Sequence, residues 1–240
     1  MRRWRAVVRS FVLWSVALPV FASSCLLILT AALVHRGPAL DALIKACCRL
    51  ILLCSGVRVR LRGQENAAPG RQYVVMMNHV NFFDPLVFFA GFPGLARGVE
   101  EESHFRWPLY GLVLRRIGMI PIARKDTARA IESLARAARL VHERPAYSIA
   151  ILPEGTRSPD GKLGPFKKGG FHLALETGLD ILPVVQRGAY AINRKGSLLI
   201  RPGVVEVIVR PAVPVAGYAK ETVGDLADRT RREFLEVLGA

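Results

Sequence analysis

Asn78-His79-Val80-Asn81-Phe82-Phe83-Asp84-Pro85 joins two apolar segments of different character. Upstream, Tyr73 to Met77 (YVVMM), bounded by Gly70, has the length and residue types of a buried strand. Downstream, Pro85 opens Leu86 to Ala90. Asp-Pro is a helix start, with Asp84 at the N-cap and Pro85 in the first turn, where no backbone donor is needed. His79 is therefore placed on a loop leaving the end of a strand, and Asp84 at the mouth of the next helix. So short a loop can bring imidazole and carboxylate together. A carboxylate on one ring nitrogen fixes the tautomer and raises the basicity of the other, as a general base requires. Taken alone, the same residues also read as a solvated surface histidine and an ordinary helix cap.

The chain beyond this loop repeats the pattern. Val57, Val59 and Leu61 alternate with Arg58, Arg60 and Arg62, a half-buried strand with a basic outer face. The helix after Pro85 ends near Gly91 to Gly94, and Glu100 to Gly111 (EEESHFRWPLYG) reads as a loop with a short helix. Met119 to Ala123 is strand-like and delivers Arg124 and Lys125. Asp126 caps a helix with apolar positions Ile131, Leu134, Ala138 and Val141, closed by Pro145. Tyr147 to Leu152 is another buried strand, and it runs into Pro153-Glu154-Gly155-Thr156-Arg157-Ser158. That loop combines a carboxylate, a flexible backbone, a hydroxyl and a guanidinium whose forked donors suit phosphate oxygens. Its plain alternative is a turn with a surface arginine. Lys167 and Lys168 precede a helix over Phe171 to Thr177. Strands are expected at Ile181 to Val185, Leu198 to Ile200 and Val204 to Val209, and a last helix over Thr222 to Leu238. Strands alternating with helices imply an α/β domain with a mixed, mostly parallel sheet flanked by helices. In such sheets functional loops gather at the carboxyl ends of strands, where the His79 loop, Arg124 and the Glu154–Arg157 loop all lie.

The amino-terminal quarter is of another kind. Phe11 to Val34 contains no ionisable side chain, and Arg2, Arg3, Arg5 and Arg9 precede it. About 20 such residues suffice to cross the bilayer core. A cleaved signal peptide shares the basic start, and Ala22 to Cys25 loosely resembles a lipoprotein cleavage site, but the apolar run continues well past Cys25. After Arg36-Gly37-Pro38, Ala39 to Cys54 is apolar except for Asp41, Lys45 and Arg49, spaced i, i+4, i+8 on one helical stripe. This segment suits a helix in the interface with its cations reaching phosphates. Residues 1–54 are accordingly read as a membrane-associated helical hairpin and residues 55–240 as the α/β domain. A hairpin returning to its starting face keeps that domain on the cytoplasmic side of the inner membrane.

Composition narrows the function classes. Cys25, Cys47, Cys48 and Cys54 all precede residue 55, so the α/β domain has no thiol nucleophile, disulfide framework or cysteine metal site. The five histidines show no ligand-like spacing, and no metal or bound cofactor is expected. The net charge of +15 would admit nucleic acid, but the basic residues are scattered and no nucleic-acid motif is present. Joined to an apolar hairpin, the charge suits anionic lipid headgroups, the membrane surface being the expected partner.

At this point the chain resembles the glycerolipid acyltransferases, the 1-acylglycerol-3-phosphate acyltransferase family. NHVNFFD is similar to its NHxxxxD block, Gly118 to Arg124 (GMIPIAR) to its second, PEGTRS to its third and Leu182-Pro183-Val184 to its fourth, in the family's order. The resemblance implies acyl transfer from acyl-CoA or acyl-carrier protein to the free hydroxyl of a lysophospholipid, with 1-acylglycerol-3-phosphate giving phosphatidic acid. It implies that His79 takes the acceptor proton while Asp84 orients the ring, with no acyl-enzyme. Arg124, Glu154, Gly155, Thr156 and Arg157 would hold the acceptor's glycerol phosphate. The chain departs from the pattern in Val80-Asn81-Phe82-Phe83, where many members carry Gln or Thr followed by Ser. It also carries Glu100 to Glu102 where many carry a Lys, upstream of a Pro-aromatic-Gly element read here as Pro108-Leu109-Tyr110-Gly111. Three acids would repel a phosphate, which admits another acceptor such as a lyso-ornithine lipid. A non-catalytic lipid-surface protein and a thioester hydrolase are the rival classes.

Overall fold

The computed structural model describes residues 2–239, except 125 and 145, so the expectations for Lys125 and Pro145 lie outside the described residues. Two helices open the chain, α1 (Arg2–Val34) and α2 (Pro38–Cys54). A seven-stranded sheet follows, made of β1 (Val57–Arg62), β2 (Val74–Met77), β3 (Ala96–Glu101), β4 (Ile120–Ile122), β5 (Ser148–Ile151), β6 (Ile181–Arg187) and β7 (Gly203–Val209). Between and after the strands come α3 (Asp84–Gly91), α4 (Tyr110–Ile117), α5 (Thr127–Glu143), α6 (Gly169–Thr177), α7 (Ala189–Ile192) and α8 (Val223–Leu238). The strand order is β1-β7-β6-β2-β5-β3-β4, and every pair is parallel except β6 with β7. The mixed, mostly parallel sheet flanked by helices is the one the alternation predicts.

This order explains the sequence of the strands. Central β2 is buried at all four positions because a parallel sheet is covered on both faces, whereas β1 alternates buried or half-buried Val57, Val59 and Leu61 with exposed Arg58, Arg60 and Arg62. One face packs α1, α2, α3 and α4 in a core that includes Leu52, Val75, Phe83 and Val87. The other packs α5, α6 and α8 around Val74, Ile149, Phe171 and Phe234. Parallel β2, β3, β4 and β5 place their carboxyl ends on one edge, so residues 78, 102, 123 and 152 emerge side by side.

Several expectations are corrected. The expected loop at Glu100 to Gly111 begins inside a strand, Ala96–Glu101, to whose first residues the sequence assigns no element: Arg97 and Glu100 hide it from a periodicity reading because both are buried with partners. Leu198 to Ile200 is not a strand; its backbone is instead capped by α1, with Trp14 Nε1 donating to Leu198 O (2.8 Å) and Ile200 N–H donating to Ser10 Oγ (2.9 Å). Ile131 is exposed on α5, whose buried face is carried by Ser133, Ala137, Ala138 and Val141.

The largest correction concerns α2. Its polar stripe does not reach toward headgroups but staples the helix to the sheet domain. Asp41 accepts two bonds from Arg97 (2.5 and 3.2 Å) and one from the Tyr147 hydroxyl (2.6 Å). Lys45 Nζ donates to Gly94 O (2.7 Å), and Arg49 Nε to Ala90 O (3.0 Å). The face left outward is apolar, including Leu50 and Leu53. Among the described residues α1 is the one helix long and apolar enough to cross a membrane, by length and composition. It is docked along its length, with Ser10 held at one end and Ala32 O accepting from Arg116 near the other. Cys25, Cys47 and Cys48 fill the seam between α1 and α2 as small apolar groups.

Candidate active site

His79 leaves β2 on the shared carboxyl edge, and the loop folds around its own last residue. Asp84 is fully buried, and its Oδ2 receives Nδ1 of His79 at 2.6 Å together with the backbone N–H groups of Val80 (2.7 Å) and Asn81 (3.0 Å). The carboxylate therefore turns back onto the loop instead of capping α3; no side chain caps that helix, which begins at Asp84 with Pro85 behind it. Two N–H donors keep an anionic oxygen in place without a countercharge. That oxygen in turn makes Nδ1 the protonated nitrogen of His79 and leaves Nε2 free to accept a proton.

Neighbouring side chains fix the loop. Asn78 and Gln186 exchange three hydrogen bonds of 2.7–3.1 Å, tying the loop to the end of β6. Asn81 accepts from Phe83 N–H (2.7 Å) and donates to Ala189 O (2.8 Å), which accounts for a polar residue buried at this position. Phe83 is buried and stacks on Trp14 of α1, with ring centroids 6.0 Å apart.

Glu154, expected to contact substrate, does something else. One carboxylate oxygen accepts the His79 backbone N–H (2.7 Å) and the other the Gly164 N–H (2.9 Å). Burial raises its pKa above the ordinary value, and those two donors pull it part of the way back. Glu154 is a positioning residue. Replacing it with Gln puts an amide NH2 against one of the two N–H donors, shifting the His79 loop. Glu154→Gln is expected to lower kcat about 10- to 100-fold while leaving substrate KM within a small factor, as steady-state kinetics would show.

Gly155 has φ +68°, and a side chain there would meet Lys167 Cε at 2.8 Å. Its carbonyl accepts from Arg124 Nη1 (3.2 Å). Thr156, Arg157 and Arg124 line a cavity of about 550 Å³ together with His79. Much of the remaining wall is apolar, including Trp14, Ala17, Phe21, Phe82, Leu86 and Tyr110, and Glu100, Glu101, His104 and Lys195 add polar groups to it. Of the sequence candidates, His79, Arg124, Thr156 and Arg157 converge on this cavity, whereas Asp84, Glu154 and Gly155 stand behind it. The contribution of α1, through Trp14 and Phe21, was invisible in sequence because it depends on how the hairpin docks.

The three acids expected to repel an anion each have a side-chain partner. Glu100 accepts from His104 Nδ1 (2.8 Å), Glu101 pairs with Arg124 Nε (3.2 Å) and Glu102 with Arg129 (2.6 Å). The Pro-aromatic-Gly element turns tightly beside them. Leu109 has φ +55°, and a Cβ on Gly111 would lie 2.3 Å from Phe105 O, so only glycine fits.

The arrangement comprises a carboxylate-oriented imidazole, a cationic loop beside it and an apolar cavity that both face. It suits proton removal from a hydroxyl on an amphiphile bearing an anionic group. A model of the Acyltransferase family matches residues 58–187. Over 182 residues the chain is 32% identical to human 1-acyl-sn-glycerol-3-phosphate acyltransferase alpha, covering 76% of this chain and 64% of that protein. The mouse protein of the same name is 31% identical over 194 residues, with 79% and 68% covered, and 1-acyl-sn-glycerol-3-phosphate acyltransferase of Borreliella burgdorferi 33% over 142 residues, with 59% and 56%. The chain thus spans less than two thirds of the human protein's length. The fold is shared with the crystal structure of the 1-acyl-sn-glycerophosphate acyltransferase PlsC of Thermotoga maritima, at TM-score 0.83 and 22% identity over 99% of this chain and 98% of that one.

Proposed function

Because the chain belongs to the acyltransferase family, we propose that it moves a fatty acyl group from a thioester to the free hydroxyl of 1-acylglycerol-3-phosphate, giving phosphatidic acid. The observation that carries this reading is the 2.6 Å His79–Asp84 contact at a largely apolar cavity that also holds Arg157 and Thr156. His79 Nε2 removes the acceptor's hydroxyl proton as the oxygen attacks the thioester carbonyl, and Asp84 stabilises the resulting imidazolium. Collapse of the tetrahedral adduct breaks the carbon–sulfur bond, and the proton held on His79 passes to the departing thiolate. The donor's carrier is coenzyme A or acyl-carrier protein.

Arg124, Thr156 and Arg157 face the acceptor's headgroup, while the wall built by Trp14, Phe21 and Leu86 receives acyl chain. The protein works at a membrane, on the cytoplasmic face of the inner membrane. The outward apolar residues of α1 and α2, among them Phe11, Leu18, Leu26, Leu50 and Leu53, support the membrane association, because apolar surface left in water is costly. Anionic headgroups are the partner of its net charge of +15. Uncompensated acids at 100–102 were the reason to consider another acceptor, such as a lyso-ornithine lipid. Glu101 and Glu102 are ion-paired with arginines and Glu100 is hydrogen-bonded to His104, which weakens that reason.

The test is transfer from labelled acyl-CoA and acyl-carrier protein to a panel of lysolipids in mixed micelles. Label in phosphatidic acid, and far less in other diacyl products, is the expected outcome. Label confined to another diacyl lipid would refute the acceptor, and none in any product would refute the reaction.

A further inference from the structure

Lys195 lies beyond the stretch matched by the family model, on the connection from β6 to β7. Because β6 and β7 are antiparallel, this connection turns back at the sheet edge where β2 and β5 release His79 and the Glu154–Arg157 loop. It is pinned on both sides of the lysine. Asn193 Nδ2 donates to Ser197 O (2.7 Å) and Leu199 O (3.1 Å), and α1 holds Leu198 and Ile200. From this anchored turn Lys195 Nζ reaches the cavity, donating to Thr156 Oγ1 (3.1 Å) and Arg157 O (3.0 Å).

The cations at the cavity divide into two kinds. Arg124 has Glu101 against its Nε and Gly155 O on its Nη1. Among the described residues no carboxylate pairs with Arg157 or Lys195. Arg157 and Lys195 thus bring two positive charges without a carboxylate partner to the cavity that His79 also lines. A phosphate monoester carries about −1.5 to −2 at neutral pH, whereas a phosphodiester carries a single charge. A paired guanidinium and ammonium match the monoester: Arg157 supplies a planar fork and Lys195 a compact point charge.

Resting on the acyltransferase reading above, we propose that Lys195 is a substrate-binding residue that forms, with Arg157, the seat of the acceptor's phosphate monoester. It makes the enzyme select lysophosphatidic acid over lysolipids whose phosphate is a diester. Arg124 serves as a brace for the loop through Gly155, its charge largely used by Glu101.

The experiment compares wild type with Lys195→Met and Lys195→Arg in the transfer assay, with 1-acylglycerol-3-phosphate and lysophosphatidylglycerol as acceptors, alongside thermal melting. For Lys195→Met, KM for the monoester acceptor is expected to rise about 10- to 100-fold with most of the loss in KM rather than kcat. The preference for monoester over diester is expected to fall by a similar factor, and Lys195→Arg to recover most of both. KM for the acyl donor, at saturating acceptor, should stay within about twofold of wild type. A rise in donor KM instead would assign the lysine to the donor's phosphates and overturn the proposal. So would a fall in kcat with both KM values unchanged and a lowered melting temperature, which marks a purely structural tie. Absence of transfer by wild type itself would defeat the acyltransferase reading, whereas wild-type transfer with an unaltered KM in Lys195→Met defeats this inference alone.

Discussion

His79→Ala is expected to lower kcat about 10^2- to 10^4-fold, the range that positioned acid–base catalysis supplies. The α/β domain contains no cysteine, and the other histidine at the cavity, His104, lies on a different connection, between β3 and α4, outside the loop that leaves β2. The loss should fall on kcat, because the imidazole acts on a proton in flight and the headgroup contacts remain. Fold and membrane binding should survive: the one protein hydrogen bond of the His79 side chain among the described residues is to Asp84, which keeps the Val80 and Asn81 N–H donors. Asp84→Asn should cost comparably, since an amide no longer fixes the Nδ1–H tautomer or stabilises the imidazolium. Steady-state kinetics on micellar substrate, with melting curves for each variant, check both. A His79→Ala enzyme within tenfold of wild type would remove the imidazole from the mechanism.

Asp41→Ala is expected to be the most destabilising single change considered, costing about 3–5 kcal/mol. The Asp41 and Arg97 side chains are 4% and 3% exposed, so removing the carboxylate strands a guanidinium where water cannot reach it. It also takes the acceptor from the Tyr147 hydroxyl, whose pKa is raised chiefly by burial and next by that hydrogen bond. Arg97 would keep only its own Ala96 carbonyl and the face of Tyr147, 4.1 Å from the ring centroid. Breaking a buried pair is worse than replacing it, so Asp41→Leu with Arg97→Met should recover most of the loss. Chemical denaturation in detergent measures both. If Asp41→Ala costs less than about 1 kcal/mol, the stripe on α2 is not what fastens the hairpin to the sheet.

The same stripe shows where sequence reading fails. Spacing placed Asp41, Lys45 and Arg49 on one face of a helix, and they are. Whether that face meets lipid or protein depends on Arg97, Gly94 and Ala90, which periodicity cannot bring into view. Arg97 and Glu100 concealed β3 for the complementary reason, since charges buried in pairs imitate a solvated loop. In contrast β1, β2 and α5 were legible because their burial follows from local pattern: alternation in β1, an unbroken apolar run in β2, and Asp126 accepting the Arg129 N–H at the start of α5.

At the site, the motif identified the pair that does meet, His79 and Asp84. Glu154, expected on the acceptor, has both its oxygens on backbone N–H groups, which a carboxylate next to a glycine and an arginine does not announce in sequence. Asp84 likewise looked like a helix cap and is a loop acceptor. Lys195 carried no signal, standing in an unremarkable Asn-Arg-Lys-Gly turn; only the antiparallel return of β7 brings it to the cavity.

The measurement nearest the central claim is a single incubation of wild-type enzyme with labelled acyl thioester, with and without 1-acylglycerol-3-phosphate, followed by lipid separation and intact-protein mass. Direct attack under His79 base catalysis predicts label in phosphatidic acid only when the acceptor is present, little free fatty acid without it, and an unmodified protein mass throughout. Label released as free fatty acid regardless of acceptor would contradict the account by making the protein a hydrolase. A protein mass raised by one acyl group would contradict it by placing a nucleophile where the mechanism has none.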